Sequence, residues 1–404
     1  MMAGGKRSPP PLPGGPPLLL LLLALSLLAA APRAAAAAPP TSANRVHAFF
    51  YLWYGNPGTD GRYLHWNHEV LPHWNPSIAK GFPSGERFNP PEELHSPYYP
   101  ERGPYSASDP ATLRSHMEEL AGAGVGVLVL SWWGPAHREG TADTQGVQTD
   151  HVLPVVMRTA EEAGALVAFH LEPYPGRSAD SVREDLAYLM ERYGESKALY
   201  RVEGRPVYYV YDSYHIPSSE WARLLTPGGS SSVRGTSIDG FFIGLWLGRG
   251  SGHDLAAGGF DGFYTYFASS EVSYGADPRN WPSMASFAKE HGMAFVASVG
   301  PGYDDTRIRP WNSAATRDRE GGRRYERVWK SAIDSRATFV SITSYNEWGE
   351  GTQIEPAVAK ALPDGTPYQD YGEGGPGLYM DLTRTWAWRF EAGPPPRRGA
   401  REEL

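Results

Sequence analysis

"LVAFHLEPY", residues 166 to 174, carries the pattern that decides the fold. It begins as a short apolar run, typical of a buried strand, and it ends in the polar side chains His170 and Glu172. Similar runs follow one another along the chain, and they begin near residues 46, 125, 206, 240, 260, 294 and 339. The sequence therefore predicts eight buried strands.

Helical segments lie between these runs. Residues 109–124, "DPATLRSHMEELAGAG", have an Asp N-cap, a proline at the first helical position and closing glycines, while residues 178–194 and 322–335 show amphipathic spacing. Strands that alternate with helices predict an α/β fold, here a closed parallel (β/α)8 TIM barrel forming a single catalytic domain. An open doubly wound sheet is the alternative.

The strand ends favour the barrel, because barrel enzymes place their active sites at the carboxyl ends of the strands. One Tyr or His at a strand end has an ordinary packing explanation, but here polar and aromatic residues recur at nearly every end. They are Tyr51, Trp53, Tyr54, Trp132, Trp133, His170, Glu172, Tyr211, Asp212, Trp246, Tyr264, Tyr266, Tyr303, Asn346 and Glu347.

The composition excludes several classes of function. The formal net charge of −8 argues against nucleic acid as a partner, because binding to phosphates needs clustered Lys and Arg. The absence of cysteine excludes disulfides, zinc-thiolate sites and a cysteine nucleophile. The 13 Trp, 23 Tyr and 14 Phe supply flat apolar faces that suit sugars.

The chain ends indicate a secretory protein. Residues 1–31 predict a signal peptide or a type II signal anchor, because Lys6 and Arg7 precede the apolar run Leu18 to Ala31. An anchor, unlike a cleaved signal peptide, would attach the protein to a membrane. Residues 32–44 form an Ala/Pro-rich linker, 45–392 the folded domain, and 393–404 a disordered polar tail. The final REEL resembles a luminal retrieval signal, with a merely polar tail as the alternative.

Several long motifs carry a family resemblance. "SYNEWGEGTQIEP" (344–356), "GRYLHWNHEVLPHWNP" (61–76), "VASVGPGYDDTRIRPWN" (296–312), "FDGFYTYFAS" (260–269) and "LVAFHLEPY" together resemble glycoside hydrolase family 99 across residues 46 to 390. The resemblance implies endo-cleavage of α-1,2-mannosidic bonds in glucosylated high-mannose N-glycans, or in α-mannan for bacterial members. It implies no metal and no cofactor, and a place in the secretory lumen, above all the Golgi.

The family also implies roles for two acids. Glycosidases generally use two carboxyl groups, but the spacing of Glu347 and Glu350 by itself leaves retention and inversion open. The resemblance implies that Glu347 is the base toward the sugar's 2-hydroxyl, that a 1,2-anhydro sugar forms, and that Glu350 is the general acid, with net retention. Because two nearby carboxylates resist double ionisation, we expect Glu350 to hold the proton.

The resemblance further implies a set of substrate-binding residues: Tyr54, Trp133, His170, Glu172, Tyr266, Arg309, Trp311, Asn346 and Trp348. Arg309 has the alternative of pairing with a structural carboxylate, and Tyr266 that of core packing. Glu355 is expected to be structural or a distal contact. The histidines of "HWNH" (65–68) and His73 are expected at a sugar-binding edge rather than at a metal.

Two departures from the family pattern leave questions open. Gly349 stands where the family commonly has His in N-E-W-H-E-G, so turnover is in doubt. Trp133 occupies a position where animal members tend to have Tyr and bacterial ones Trp, which bears on whether glucose or mannose lies beside the scissile residue. An endo-α-1,2-mannanase and a catalytically weak glycan-binding protein are the alternatives.

Overall fold

The computed structural model describes residues 42–267 and 272–393. Its central feature is a ring of parallel strands, each paired with the next along the chain and the last paired with the first. The strands are β1 (Val46–Phe50), β2 (Val127–Trp132), β3 (Leu166–Leu171), β4 (Arg205–Val210), β5 (Phe241–Leu245), β6 (Gly262–Tyr264), β7 (Ala294–Val299) and β8 (Phe339–Ile342). The closed ring confirms the barrel and rules out the open sheet.

A helix follows each strand. The helices are α1 (Pro110–Gly122), α2 (Leu153–Ala163), α3 (Ala179–Tyr193), α4 (Ser218–Leu225), α5 (Ser251–Gly258), α6 (Trp281–His291), α7 (Arg323–Asp334) and α8 (Leu378–Ala392). Local sequence sets where they begin: the Asp109 carboxylate accepts hydrogen bonds from the N–H groups of Ala111 and Thr112, and Ser178 and Ser181 form a capping box.

The barrel strands are buried along almost their whole length, because helices cover them outside and side chains fill the interior. The interior also holds polar side chains with protein partners. The hydroxyls of Ser298 and Ser341 lie 2.9 Å apart, and His47 Nδ1 lies 2.6 Å from the Tyr209 hydroxyl. Such packing fixes the strand ends and leaves the loops beyond them to form a site.

The long segment between β1 and α1 covers part of this end of the barrel. It contains two four-residue helices, Pro57–Asp60 and Pro76–Ala79, and a short strand, Tyr99–Pro100, that pairs with Ala357–Val358. The Leu71 N–H also donates to the Ile308 carbonyl at 2.8 Å. The segment is thereby joined to the loops that follow β7 and β8.

No helix within residues 42–267 and 272–393 is long and apolar enough to cross a membrane. The predicted export segment, residues 1–31, and the terminal REEL lie outside the described residues. The export, anchoring and retrieval expectations therefore stay predictions, as do the domain boundaries placed at 45 and 392.

Candidate active site

Glu347 lies on the loop that follows β8, at the carboxyl end of the barrel. It is only 4% exposed. Its backbone N–H donates to the Ser344 hydroxyl at 2.7 Å, and its Oε1 accepts a hydrogen bond from the Gly349 N–H at 3.1 Å. These contacts hold the carboxyl group in one place within a largely dry setting.

Glu350 lies in a wetter and more positive setting than Glu347. Its side chain is 26% exposed, and its Oε1 lies 3.3 Å from Arg309 Nη1. The same nitrogen lies 3.0 Å from Asp305 Oδ2, and the Tyr303 hydroxyl donates to that oxygen at 2.8 Å. Arg309 therefore pairs with a structural carboxylate and with the predicted acid at the same time.

The surroundings of the two glutamates raise both pKa values to different extents. Burial, then the charge of Glu350, raises the pKa of Glu347 well above its ordinary 4.5. Burial also raises the pKa of Glu350, but Arg309 opposes that effect. Burial and mutual repulsion therefore favour one proton shared by the pair, and the assignment of that proton to Glu350 stays a prediction.

His170 and Glu172 stand at the end of β3 within a cluster of tyrosines. His170 Nδ1 lies 2.9 Å from Glu172 Oε1, without hydrogen-bond alignment, and its Nε2 lies 2.7 Å from the Tyr264 hydroxyl. Ser131 donates to Glu172 Oε1 at 2.8 Å. The ring of Tyr266 stacks on His170 with centroids 5.6 Å apart. The predicted pair thus forms one buried cluster with Tyr266.

Tyr266 holds an unusual backbone conformation. Its φ is +53°, in the left-handed region that bulky residues avoid and that costs roughly 1–3 kcal/mol. Its N–H donates to the Ser298 hydroxyl at 2.7 Å, and its carbonyl accepts from Thr343. Its hydroxyl also bonds to that of Tyr51. Ser298 of β7 and Thr343 just after β8 therefore hold the backbone of Tyr266, while Tyr51 holds its hydroxyl.

Tyr54, Asn346 and Trp348 are almost completely buried, and they hold the loop around Glu347. The Tyr54 hydroxyl donates to the Asn346 carbonyl at 3.0 Å and accepts from the Trp348 N–H at 3.1 Å. The Asn346 amide exchanges hydrogen bonds with the backbone of Tyr51 at 2.8 and 3.1 Å. These three residues connect the end of β1 to the loop after β8.

Glu355 anchors the far end of this loop. It is fully buried and accepts hydrogen bonds from the Tyr105 hydroxyl at 2.7 Å and from Trp348 Nε1 at 3.0 Å. His116 Nε2 lies 2.9 Å from its other oxygen, without hydrogen-bond alignment, and Arg102 lies 3.6 Å from it. Glu355 is structural, which was one of the two expectations.

The side chain of His95 occupies the space in which a larger residue at position 349 would place its own side chain. An added Cβ at this position would lie 2.9 Å from His95 Cδ2, 3.1 Å from His95 Nε2 and 3.3 Å from Glu347 Oε1. His95 is fully buried, its Nδ1 lies 3.3 Å from the Trp66 carbonyl, and its Nε2 has no hydrogen-bond partner. The space beside Gly349 is therefore filled by a residue of the long loop after β1.

The two remaining tryptophans predicted to bind substrate are partly exposed. Trp133 follows β2, and its Nε1 is buried without a hydrogen-bond partner. Trp311 donates from Nε1 to the Leu71 carbonyl at 3.0 Å.

The "HWNH" histidines have protein partners: His65 lies 2.9 Å from Asp143 and stacks on Trp53 at 4.1 Å. The described residues contain no group of three side chains placed to hold a metal ion.

Sequence reasoning missed Asp305, His95 and Arg319. Arg319 is buried among the rings of Tyr98, Tyr371 and Tyr379. It donates to the carbonyls of Gly351 and Gln353 at 2.8 and 2.9 Å. The spacing of Asp305 and Arg309, four residues apart, offered a signal for an ion pair. Nothing local marks His95 or Arg319, because their partners are distant in sequence.

Comparison with known proteins agrees with this geometry. Residues 41–392 match the family described as Glycosyl hydrolase family 99. The human glycoprotein endo-alpha-1,2-mannosidase-like protein is 46% identical over 85% of this chain and 75% of its own length. The glycoprotein endo-alpha-1,2-mannosidase of Rattus norvegicus is 45% identical over 85% of this chain and 74% of its own length.

A solved structure shares the fold. The GH99 endo-alpha-mannosidase of Bacteroides thetaiotaomicron is 41% identical and superposes with a TM-score of 0.79, covering 87% of this chain and 99% of its own. The match across nearly the whole barrel shows that this chain belongs to glycoside hydrolase family 99 and is a glycoside hydrolase.

Proposed function

We propose that the protein is a retaining endo-glycosidase that cleaves internal α-1,2-mannosidic bonds of glucosylated high-mannose N-glycans. The observation that carries this proposal is the pair Glu347 and Glu350, on one loop at the barrel mouth and in unlike electrostatic settings. The names of the mammalian relatives support the choice of linkage.

The first step uses the substrate's own oxygen. In an α-mannoside the axial O2 lies trans to the axial leaving oxygen, so O2 is placed to displace it. The Glu347 carboxylate takes the O2 proton, O2 forms a bond to C1, and the bond from C1 to the leaving oxygen breaks. Glu350 gives its proton to that oxygen. A 1,2-anhydro sugar results.

The second step restores both glutamates. Water adds to C1, the Glu350 carboxylate takes a proton from that water, and the bond from C1 to O2 breaks as Glu347 returns its proton to O2. Two inversions at C1 give net retention. Arg309 lies beside Glu350 and stabilises its anionic form between the two steps.

Substrate binding moves the proton to the acid in this scheme. Burial raises the pKa of both carboxyl groups, so the substrate-free pair shares a proton. A mannose ring in the cleft covers the exposed part of Glu350, which raises the pKa of that carboxyl, while the sugar's 2-hydroxyl donates a hydrogen bond to Glu347 and favours its carboxylate form. The total charge of the pair is the same before and after, so the transfer needs no proton from solvent.

The remaining residues of the site take supporting roles in this proposal. Tyr266, His170 and Glu172 line the pocket for the reacting mannose, and Trp133 contacts the neighbouring sugar. The proposed location is the lumen of the secretory pathway, above all the Golgi, because the apolar segment Leu18 to Ala31 predicts export and N-glycans are processed there.

Product analysis tests the function. Residues 42–393 are incubated with glucosylated high-mannose glycan and, separately, with α-1,2-linked mannan, and the released sugars are identified by mass spectrometry and NMR. We expect a glucosyl-mannose disaccharide from the glycan. Release from mannan alone would make the protein a mannanase. Binding of both substrates without release, unchanged in Glu350→Gln, would make it a glycan-binding protein.

A further inference from the structure

An aromatic cluster on the surface includes Trp311, which is two residues from Arg309, and neither the proposed mechanism nor the barrel core uses it. Trp74 is 78% exposed, the most exposed large apolar side chain of the described residues. Its ring meets that of Trp311 edge to face at 4.9 Å, and His73 lies against both rings at 3.9 and 4.8 Å. We name these three residues the aromatic ledge.

The ledge is fixed in place by backbone contacts. Trp311 donates from Nε1 to the Leu71 carbonyl at 3.0 Å, and the Leu71 N–H donates to Ile308 at 2.8 Å. His73 Nδ1 accepts a hydrogen bond from the Asn75 N–H at 2.9 Å. An exposed Trp whose neighbours are fixed in this way presents a ready apolar face at little cost in conformational entropy.

The position of the ledge relative to the acid gives it a direction. Trp311 follows Arg309 by two residues, and the guanidinium of Arg309 contacts Glu350 at 3.3 Å. In the proposed reaction Glu350 protonates the leaving oxygen. The leaving part of the glycan, whose oxygen Glu350 protonates, is therefore the part that we assign to the ledge.

We propose that the aromatic ledge is a sugar-binding subsite for the leaving oligosaccharide, with Trp74 stacking on the C–H face of a hexopyranose beyond the scissile bond. The inference rests on the proposed function for its direction. Although His73 and Trp311 contact its ring, Trp74 remains 78% exposed, and exposed indole rings bind flat apolar surfaces of this kind.

Direct binding tests the ledge without relying on turnover. The probe is a high-mannose oligosaccharide that lacks the glucosyl-mannose arm, which is the product of the proposed reaction. We expect Trp74→Ala to weaken its binding by about three- to tenfold, the range that one lost ring contact gives. Trp388→Ala is the matched control, because Trp388 is 69% exposed on α8. Equal affinity in Trp74→Ala and Trp388→Ala would overturn the proposal.

Kinetics then test the direction. A glucosyl-mannosyl fluoride has a single atom as its leaving group, so Trp74→Ala should leave its kcat/KM within about twofold while raising the KM of the full glycan about three- to tenfold. Equal losses on both substrates would overturn the assignment to the leaving side. If Trp74→Ala loses binding to anionic phospholipid vesicles while its glycan binding is unchanged, the ledge is a membrane contact and the proposal is overturned. Wild-type protein that binds the probe but cleaves neither substrate would overturn the proposed function and leave the subsite standing.

Discussion

Glu347 and Glu350 are three residues apart, but their side chains have different surroundings. Glu347 is buried and accepts a hydrogen bond from the Gly349 N–H, whereas Glu350 is partly exposed and paired with Arg309. Two carboxyl groups with unlike surroundings are what a reaction with separate base and acid roles requires. The difference also makes the stability of the folded protein depend on pH.

Glu347→Gln should make the protein more stable at high pH. The pKa of Glu347 is higher in the folded protein than its unfolded value near 4.5. Below pH 4.5 the group is protonated in both states, so its charge does not lower the free energy of unfolding. As the pH rises toward the folded pKa, the buried group resists ionisation and the free energy of unfolding falls. Glutamine keeps the shape and removes the charge. We expect a higher free energy of unfolding than wild type at pH 8 and little difference at pH 4.5, measured by chemical denaturation.

Glu350→Gln is the control for that measurement. Because Glu350→Gln also loses the ion pair with Arg309, its free energy of unfolding at pH 8 should rise less than that of Glu347→Gln. A Glu347→Gln variant that is equally stable or less stable at pH 8 would contradict the assigned burial cost.

Gly349→Ala should lower kcat by about tenfold or more, because the added methyl group meets His95 at 2.9 Å and shifts the backbone N–H that bonds Glu347. The double variant Gly349→Ala with His95→Ala should recover part of the loss. Gly58→Ala, at an exposed position with ordinary space around it, is the control. Full activity of the single variant would show that His95 does not fill this space.

The loop after β8 is the element on which the site depends. Tyr54 and Asn346 hold its beginning, Glu355 its far end, and Arg319 two of its carbonyls. Nearly all of these contacts are buried and reach to other elements. The loop therefore behaves as part of the barrel framework rather than as a lid.

Glu355→Ala should destabilise this loop and lower activity together. It leaves Trp348 Nε1, the Tyr105 hydroxyl and His116 without their buried partner, a change that costs about 3–5 kcal/mol. Thermal unfolding followed by near-ultraviolet circular dichroism, together with kcat, measures both effects. Glu101→Gln, at an exposed position, is the control. Unchanged stability of Glu355→Ala would contradict the anchoring role.

The elements could be predicted to different degrees. The strands and helices were predictable because apolar runs, N-caps and glycines act locally, as Asp109 and Ser178 show. The contribution of the long segment after β1 was not, since Leu71 meets Ile308 and His95 meets Gly349 only in the folded chain. The position of Glu347 and Glu350 on one loop beyond the last strand was predictable, whereas the burial that raises both pKa values depends on distant elements that no local pattern reports.

At the scale of the whole molecule, buried histidines make the stability of the fold fall at acid pH. Burial lowers the pKa of His47 from 6.5 to about 4 and that of His68 to about 3. A histidine whose pKa is lowered by folding contributes stability that is fully present above pH 6.5, its unfolded pKa. That stability is lost as the pH falls through the folded pKa. For His47 the loss amounts to about 3 kcal/mol between pH 6.5 and 4.

His47→Gln should therefore flatten the decline in the free energy of unfolding between pH 7 and 5, even though it also removes the bond to Tyr209. Denaturant titrations at several pH values measure the slope. His253→Gln, at an exposed position, serves as the control. A slope that is the same in His47→Gln and wild type would contradict the buried neutral state.

The central claim is that the mannose O2, deprotonated by Glu347, displaces the leaving sugar. Two substrates that differ only at C2 of the reacting ring test it most directly: the natural mannoside and its 2-deoxy analogue. We predict that the analogue binds but is not cleaved, and that the natural substrate gives the α-configured product first by NMR. Cleavage of the 2-deoxy analogue at a comparable rate would contradict the account.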